Sequence, residues 1–234
     1  MQINLLNRTE WGVIENGEFK GFHLFSNGAK GTARPDNFGA VYVFNDDLFF
    51  PKSYLGMHPH ANVEVITVML EGAESHEDSL GHRQRIEKGA VQLISGGTGI
   101  RHAGGNVSAA ENSRLLQIWI VPNVLNTTPT VQLKQPDAAI AKNVWSRKIS
   151  PDGNDDSLII KQDVWLFQGL FEKGDATYEL QKKGNGVMMY ITEGSIALGD
   201  STFNKEDALF ITEAEEIAMS VDDTASILLI ETVM

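Results

Sequence analysis

"VITVMLEG" at residues 65–72 and "VMMYITEG" at residues 187–194 share a length, an apolar run and a Glu-Gly ending. Each has the size and β-branched content of a strand closed by a glycine turn. The correspondence continues in the same order on either side. "KGAVQLIS" (88–95) lines up with "KEDALFIT" (205–212), and "RLLQIWIV" (114–121) with "SILLIETV" (226–233). A chain that repeats its strand order in this way predicts a duplicated all-β domain. The polar, proline-punctuated stretch "PNVLNTTPTVQLKQP" (122–136) marks the junction, giving an N-terminal domain over 1–125 and a C-terminal domain over 126–234. "FGAVYVFNDD" (38–47) adds a further strand, and "DSLGHR", "EKGA" and "GGTG" supply turns, as in a sandwich or barrel. One stretch reads differently: "PDAAIAKNVWSRK" (136–148), with proline then aspartate at its start, predicts a helix.

Composition narrows the function. The chain has 234 residues and a formal net charge of −12, which argues against direct binding of nucleic acid. It has no cysteine, so disulfides, thiolate–metal sites and thiol catalysis are excluded. No window approaches 18 consecutive apolar residues, and "MQINLLNRTEWG" lacks a basic start followed by an apolar leader. These features predict a soluble, cytoplasmic protein with no membrane partner.

All six histidines, His23, His58, His60, His76, His82 and His102, fall in the first half. In "GMHPHANVE" (56–64), His58 and His60 are two residues apart, so an extended backbone puts both imidazoles on one face. His102 sits in the glycine-rich "GGTGIRHAGG" (96–105), before a strand that returns to the sheet. Three neutral imidazoles on neighbouring strands can bind a divalent cation. Glu64 shares their face only if the strand register is kept. It is then either a ligand or a group that orients one of the histidines. His76 and His82 flank the polar "EDSLG" and read as exposed hairpin residues, while His23 in "FHLFS" reads as packing or hydrogen bonding in a strand. The position matching His102 in the second half is Met219, and Met188, Met189, Trp165 and Phe167 read as core. One half keeps a polar site that the other has lost.

"HPH…E" followed by "LEG…HEDSLG…KGAVQLISGGTGIRH" resembles the pirin family of the cupin superfamily, in its bacterial branch. "HLFSN" (23–27), "FGAVYVFNDD" (38–47), "LQIWIVPN" (116–123) and "SPDGNDDSLIIKQDVWLFQG" (150–169) extend the resemblance over nearly the whole chain. It implies a bicupin: two tandem antiparallel, jelly-roll-like β-barrels with few short helices. The metal would lie in the first barrel. The family's metal is typically iron, held by three histidines and a glutamate two residues after the last of them. The histidines carry over onto His58, His60 and His102, but the glutamate position reads Gly104. Three outcomes are open. The ion is held by three histidines and water, Glu64 substitutes as a ligand, or the site binds metal poorly. Imidazole suits iron, copper, nickel and zinc alike, manganese is also open, and residue type does not choose among them.

The resemblance further implies quercetin 2,3-dioxygenase chemistry on a small aromatic, flavonol-like substrate. Glu64 is the one site carboxylate that could serve as catalytic base. The alternative is a non-enzymatic, metal-dependent binding protein with a protein partner. Isomerase or lyase chemistry, known among cupins generally, has little support in these residues.

Overall fold

The computed structural model describes residues 1–26, 33–138 and 141–234. Asn27 and residues 139–140, which belong to the quoted stretches, lie outside the described residues. Three sheets account for the strands. The first has seven strands, running from one edge through Thr130–Lys134, Val91–Ser95, Glu64–Glu71, Ser113–Ile120, Val41–Phe49 and Phe19–His23 to Gly12–Glu15. The second has four: Tyr54–His60, Ile100–Asn106, Ala73–Asp78 and Arg83–Glu87. These two sheets face each other across small apolar clusters, one joining Met69 and Leu115 to Ile86 and another joining Val65 to Ile100.

The third sheet, of nine strands, makes the second half. Its longest strands, Val164–Glu179 and Glu216–Thr232, pair along their length and shift register between Glu172 and Gly174. Such a bulge bends a strand and increases its twist, so one sheet can fold over itself. The all-β bicupin expected from the sequence is therefore present, with sheets that form cupin-like sandwiches rather than closed barrels. Each half also lends a strand to the other. Gln2–Leu6 pairs with Ala208–Thr212 in the third sheet, and Thr130–Lys134 pairs with Val91–Ser95 in the first.

Residues 65–69 are continuously apolar apart from Thr67 because both faces of the strand are covered. Val65, Thr67 and Met69 align with Trp119, Gln117 and Leu115 and face the interior of the first half. Ile66 and Val68, with Leu116, Ile118 and Ile120, turn the other way and join Leu166, Met188, Tyr190 and Ile230 in the core between the halves. A polar cluster crosses the same interface. Arg114 grips Asp46 with two hydrogen bonds of 2.9 and 2.7 Å, and the Tyr190 hydroxyl donates to the same carboxylate. Burial alone would raise the pKa of Asp46, but these bonds and the Arg8 charge hold it below the usual carboxylate range.

The predicted helix over 136–148 is absent from the described residues of that stretch, which enter a strand at Trp145. Strand Trp145–Ser150 pairs with Val164–Glu179, and that tertiary pairing overrides a weak local helix preference. The only helical segments among the described residues are two three-residue 3-10 turns, Arg8–Glu10 and Asn154–Asp156. Among the described residues no helix is long and apolar enough to cross a membrane.

Candidate metal centre

His58 and His60 lie on Tyr54–His60, two residues apart on one face. Strand Ile100–Asn106 pairs antiparallel with it, placing His102 directly opposite His58 and Ile100 opposite His60. Cross-strand partners share a face, so the three imidazoles converge. One nitrogen from each lies within 4.8 Å of the others. The ring centroids are 4.3 Å apart for His58 and His102, 4.9 Å for His60 and His102, and 5.1 Å for His58 and His60.

The surroundings aim these rings and keep His60 and His102 neutral. Nδ1 of His58 is 2.8 Å from the Gly56 carbonyl oxygen, which leaves Nε2 for the cluster. His60 packs edge-on against Trp119, with centroids 5.0 Å apart. Nε2 of His102 is buried and has no hydrogen-bond partner. Burial, then the charge on His58, lowers the pKa of His60 to about 4. Burial, then the neighbouring His58, His60 and His76, lowers that of His102 to about 3. Both are therefore neutral at pH 7 and have a lone pair to donate. A buried nitrogen without a partner costs free energy unless something fills the role. A divalent transition ion fits this donor set.

Glu64 is not brought to the cluster. It has the parity of Ile66 and Val68 and faces the second half rather than the interior of the first. Its Oε2 accepts from the Ser95 hydroxyl at 2.8 Å and from the Lys161 backbone N–H at 3.4 Å. The expectation that Glu64 is a ligand or catalytic base is corrected by strand parity: the seven-stranded sheet carries Glu64 while the four-stranded sheet carries the histidines. Among the described residues no carboxylate joins the three nitrogens. Gly104 supplies none, and its backbone runs so close to Ser75 that an added Cβ would overlap the Ser75 carbonyl oxygen.

His76 also departs from expectation. It is buried at 4% exposure on the interior face of Ala73–Asp78, with its ring centroid 5.4 Å from that of His102. The turn begins only after Asp78, so His76 is a strand residue, while His82 past the turn is half-exposed. The signal is present in "ESHED", where Glu74, His76 and Asp78 alternate onto one face. His23 lies on Phe19–His23 in the seven-stranded sheet, outside the cluster. The second half has no histidine, and Met219 is buried there in an apolar cluster that includes Met189 and Phe203.

Behind the triad is a recess of about 60 Å³ lined by His58, His76, His102, Thr67, Gln92 and Gln117. A larger cavity of about 570 Å³ lies between the halves and holds no histidine among its lining residues. Its buried cations are already paired, Arg114 with Asp46 and Glu206, and Lys148 with Asp137. Of the two spaces, the recess is the one lined by a buried ring nitrogen without a partner, that of His102.

A family model described as Pirin matches residues 13–120, and one described as quercetinase C-terminal cupin domain matches residues 148–232. A protein of Escherichia coli named quercetin 2,3-dioxygenase is 30% identical over 229 residues, covering 98% of each chain. The chain belongs to the pirin family. A pirin-like protein of Caulobacter vibrioides is 30% identical over 222 residues, covering 94% of this chain and 95% of that protein. The crystal structure of the bacterial pirin YhhW from Escherichia coli in complex with nickel(II) superposes with a TM-score of 0.90 at 28% identity, covering 99% of each chain. A divalent metal is thus found in a structure of the same family and fold, and the present chain gathers three imidazoles in its N-terminal half.

Proposed function

We propose that this pirin-family protein holds one divalent transition metal through His58, His60 and His102 in its N-terminal domain. We further propose that it acts there as an oxygen-dependent dioxygenase on a small flavonol-like substrate. The observation that carries the reading is the convergence of three imidazoles around the buried, unpartnered Nε2 of His102. The quercetin 2,3-dioxygenase name of the Escherichia coli relative supports the substrate class, and the nickel(II) complex of YhhW supports a divalent metal. Iron, copper, nickel and zinc all suit an imidazole set.

When bound, the metal supplies a Lewis acid for a substrate hydroxyl or keto oxygen and a place for dioxygen to react. The protein's residues decide what reaches it. The recess of about 60 Å³ admits a few waters or dioxygen but not a flavonol, which needs a pocket of several hundred Å³. The substrate therefore docks at the mouth, on the partly exposed side of His58. His60, pressed against Trp119, stays largely out of contact with water at 7% exposure. With Glu64 turned away and glycine at 104, no carboxylate among the described residues joins the three nitrogens, and the one that lines the recess is Glu74.

That last feature also favours a second reading, a metal-dependent binding protein without catalysis. Mixing metal-loaded protein with quercetin under air separates the two. Loss of the flavonol absorbance band with matching oxygen uptake, abolished in His58→Ala, supports the dioxygenase. Tight metal binding with no flavonol consumption refutes it and leaves the binding protein.

A further inference from the structure

We propose that His76 is the fourth nitrogen of this metal centre, aimed by Asp78. The inference rests on the reading of His58, His60 and His102 as ligands. Strand Ala73–Asp78 pairs with Ile100–Asn106 on the side away from Tyr54–His60. The register sets Asp78 opposite His102 and His76 opposite Gly104. Paired residues share a face, so His76 looks into the recess that His58 and His102 also line. Its ring centroid is 5.4 Å from that of His102, close to the 5.1 Å between His58 and His60. Gly104, with no side chain, puts nothing between the His76 ring and His102.

The hydrogen bonds define which nitrogen is free. Nε2 of His76 is 2.9 Å from Oδ2 of Asp78, which leaves Nδ1 for an ion. Asp78 has 0% side-chain exposure. Its carboxylate also accepts from the backbone N–H groups of Leu80 and His82 and lies 2.9 Å from the His82 ring. A carboxylate fixed in this way, bonded to the far nitrogen of a buried imidazole, is the usual support of a metal-ligating histidine. His76 stands outside the group of nitrogens within 4.8 Å of one another, so its ring must shift toward His102 to complete a four-nitrogen set.

The test uses the full chain loaded with nickel(II). X-ray absorption counts the coordinated imidazoles, and calorimetric titration gives affinity. The proposal expects four imidazoles in the wild type and three in His76→Ala. Affinity should fall by about 10–100-fold in His76→Ala and in Asp78→Asn. Three imidazoles in the wild type, with unchanged affinity in His76→Ala, overturn the proposal and leave the triad standing. A wild type that takes up no nickel overturns both. Should His76→Ala fail to fold, the wild-type imidazole count decides alone.

Discussion

Replacing Gly104 by alanine or glutamate damages the protein rather than restoring a ligand. A Cβ at 104 would lie closer than 3.0 Å to the Ser75 carbonyl oxygen, a separation that real Cβ atoms essentially never show. Ordinary contact begins at 3.4 Å, so the backbones of Ile100–Asn106 and Ala73–Asp78 must part by more than about 1 Å. The obstacle is backbone in a paired strand, which cannot rotate aside. Overpacking of this kind costs about 1–3 kcal/mol, and each ladder hydrogen bond weakened adds about 0.5–1.5 kcal/mol. We expect Gly104→Ala to lose about 2–4 kcal/mol, which for a chain of this size lowers Tm by about 5–15 °C. Gly104→Glu meets the same clash before its carboxylate reaches an ion, so its metal affinity falls as well. Gly56→Ala is the control, because a Cβ there meets nothing within 4 Å. Thermal unfolding and nickel(II) titration of the three variants measure both effects. Wild-type stability in Gly104→Ala, or tighter metal binding in Gly104→Glu, refutes the reasoning.

Other substitutions probe the carboxylates. Glu64→Gln should leave nickel(II) affinity unchanged, because Glu64 bonds Ser95 and Lys161 rather than an ion, and a weaker affinity by titration contradicts that placement. Asp47 is buried with an unpartnered Oδ1, and burial, then Asp46 and Glu74, raises its pKa to about 7. An acid raised in the folded state destabilises it as pH climbs from about 4 to 7. Asp47→Asn should therefore be more stable than wild type by about 2–4 kcal/mol at pH 8, with the gap closing by pH 4 in urea unfolding. Asp46→Ala takes two hydrogen bonds from Arg114, which is 12% exposed and keeps Glu206 at 2.8 Å, and should cost about 3 kcal/mol in the same assay.

The duplicated strand order is legible because each repeat carries one strand covered on both faces, and a continuous apolar run of strand length is visible without knowing its partners. The histidine pair is legible for a similar reason, since a two-residue spacing fixes a shared face in any strand. Glu64 misleads because it follows His60 by only four positions yet belongs to a different sheet. The chain crosses from one sheet to the other through residues 61–63, and side-chain parity does not carry across such a crossing. His76 misleads because polar residues facing inward look, in a sequence, like polar residues facing water. The helix over 136–148 fails because its proline and aspartate signal a start, while the pairing of Trp145–Ser150 with a distant strand leaves no trace in local sequence.

Nickel(II) titration of the wild type against His102→Ala is the most direct measurement of the central claim. One ion per chain in the wild type, with affinity at least about 100-fold weaker in a folded His102→Ala, is the predicted result. Equal affinity in the two proteins would contradict it.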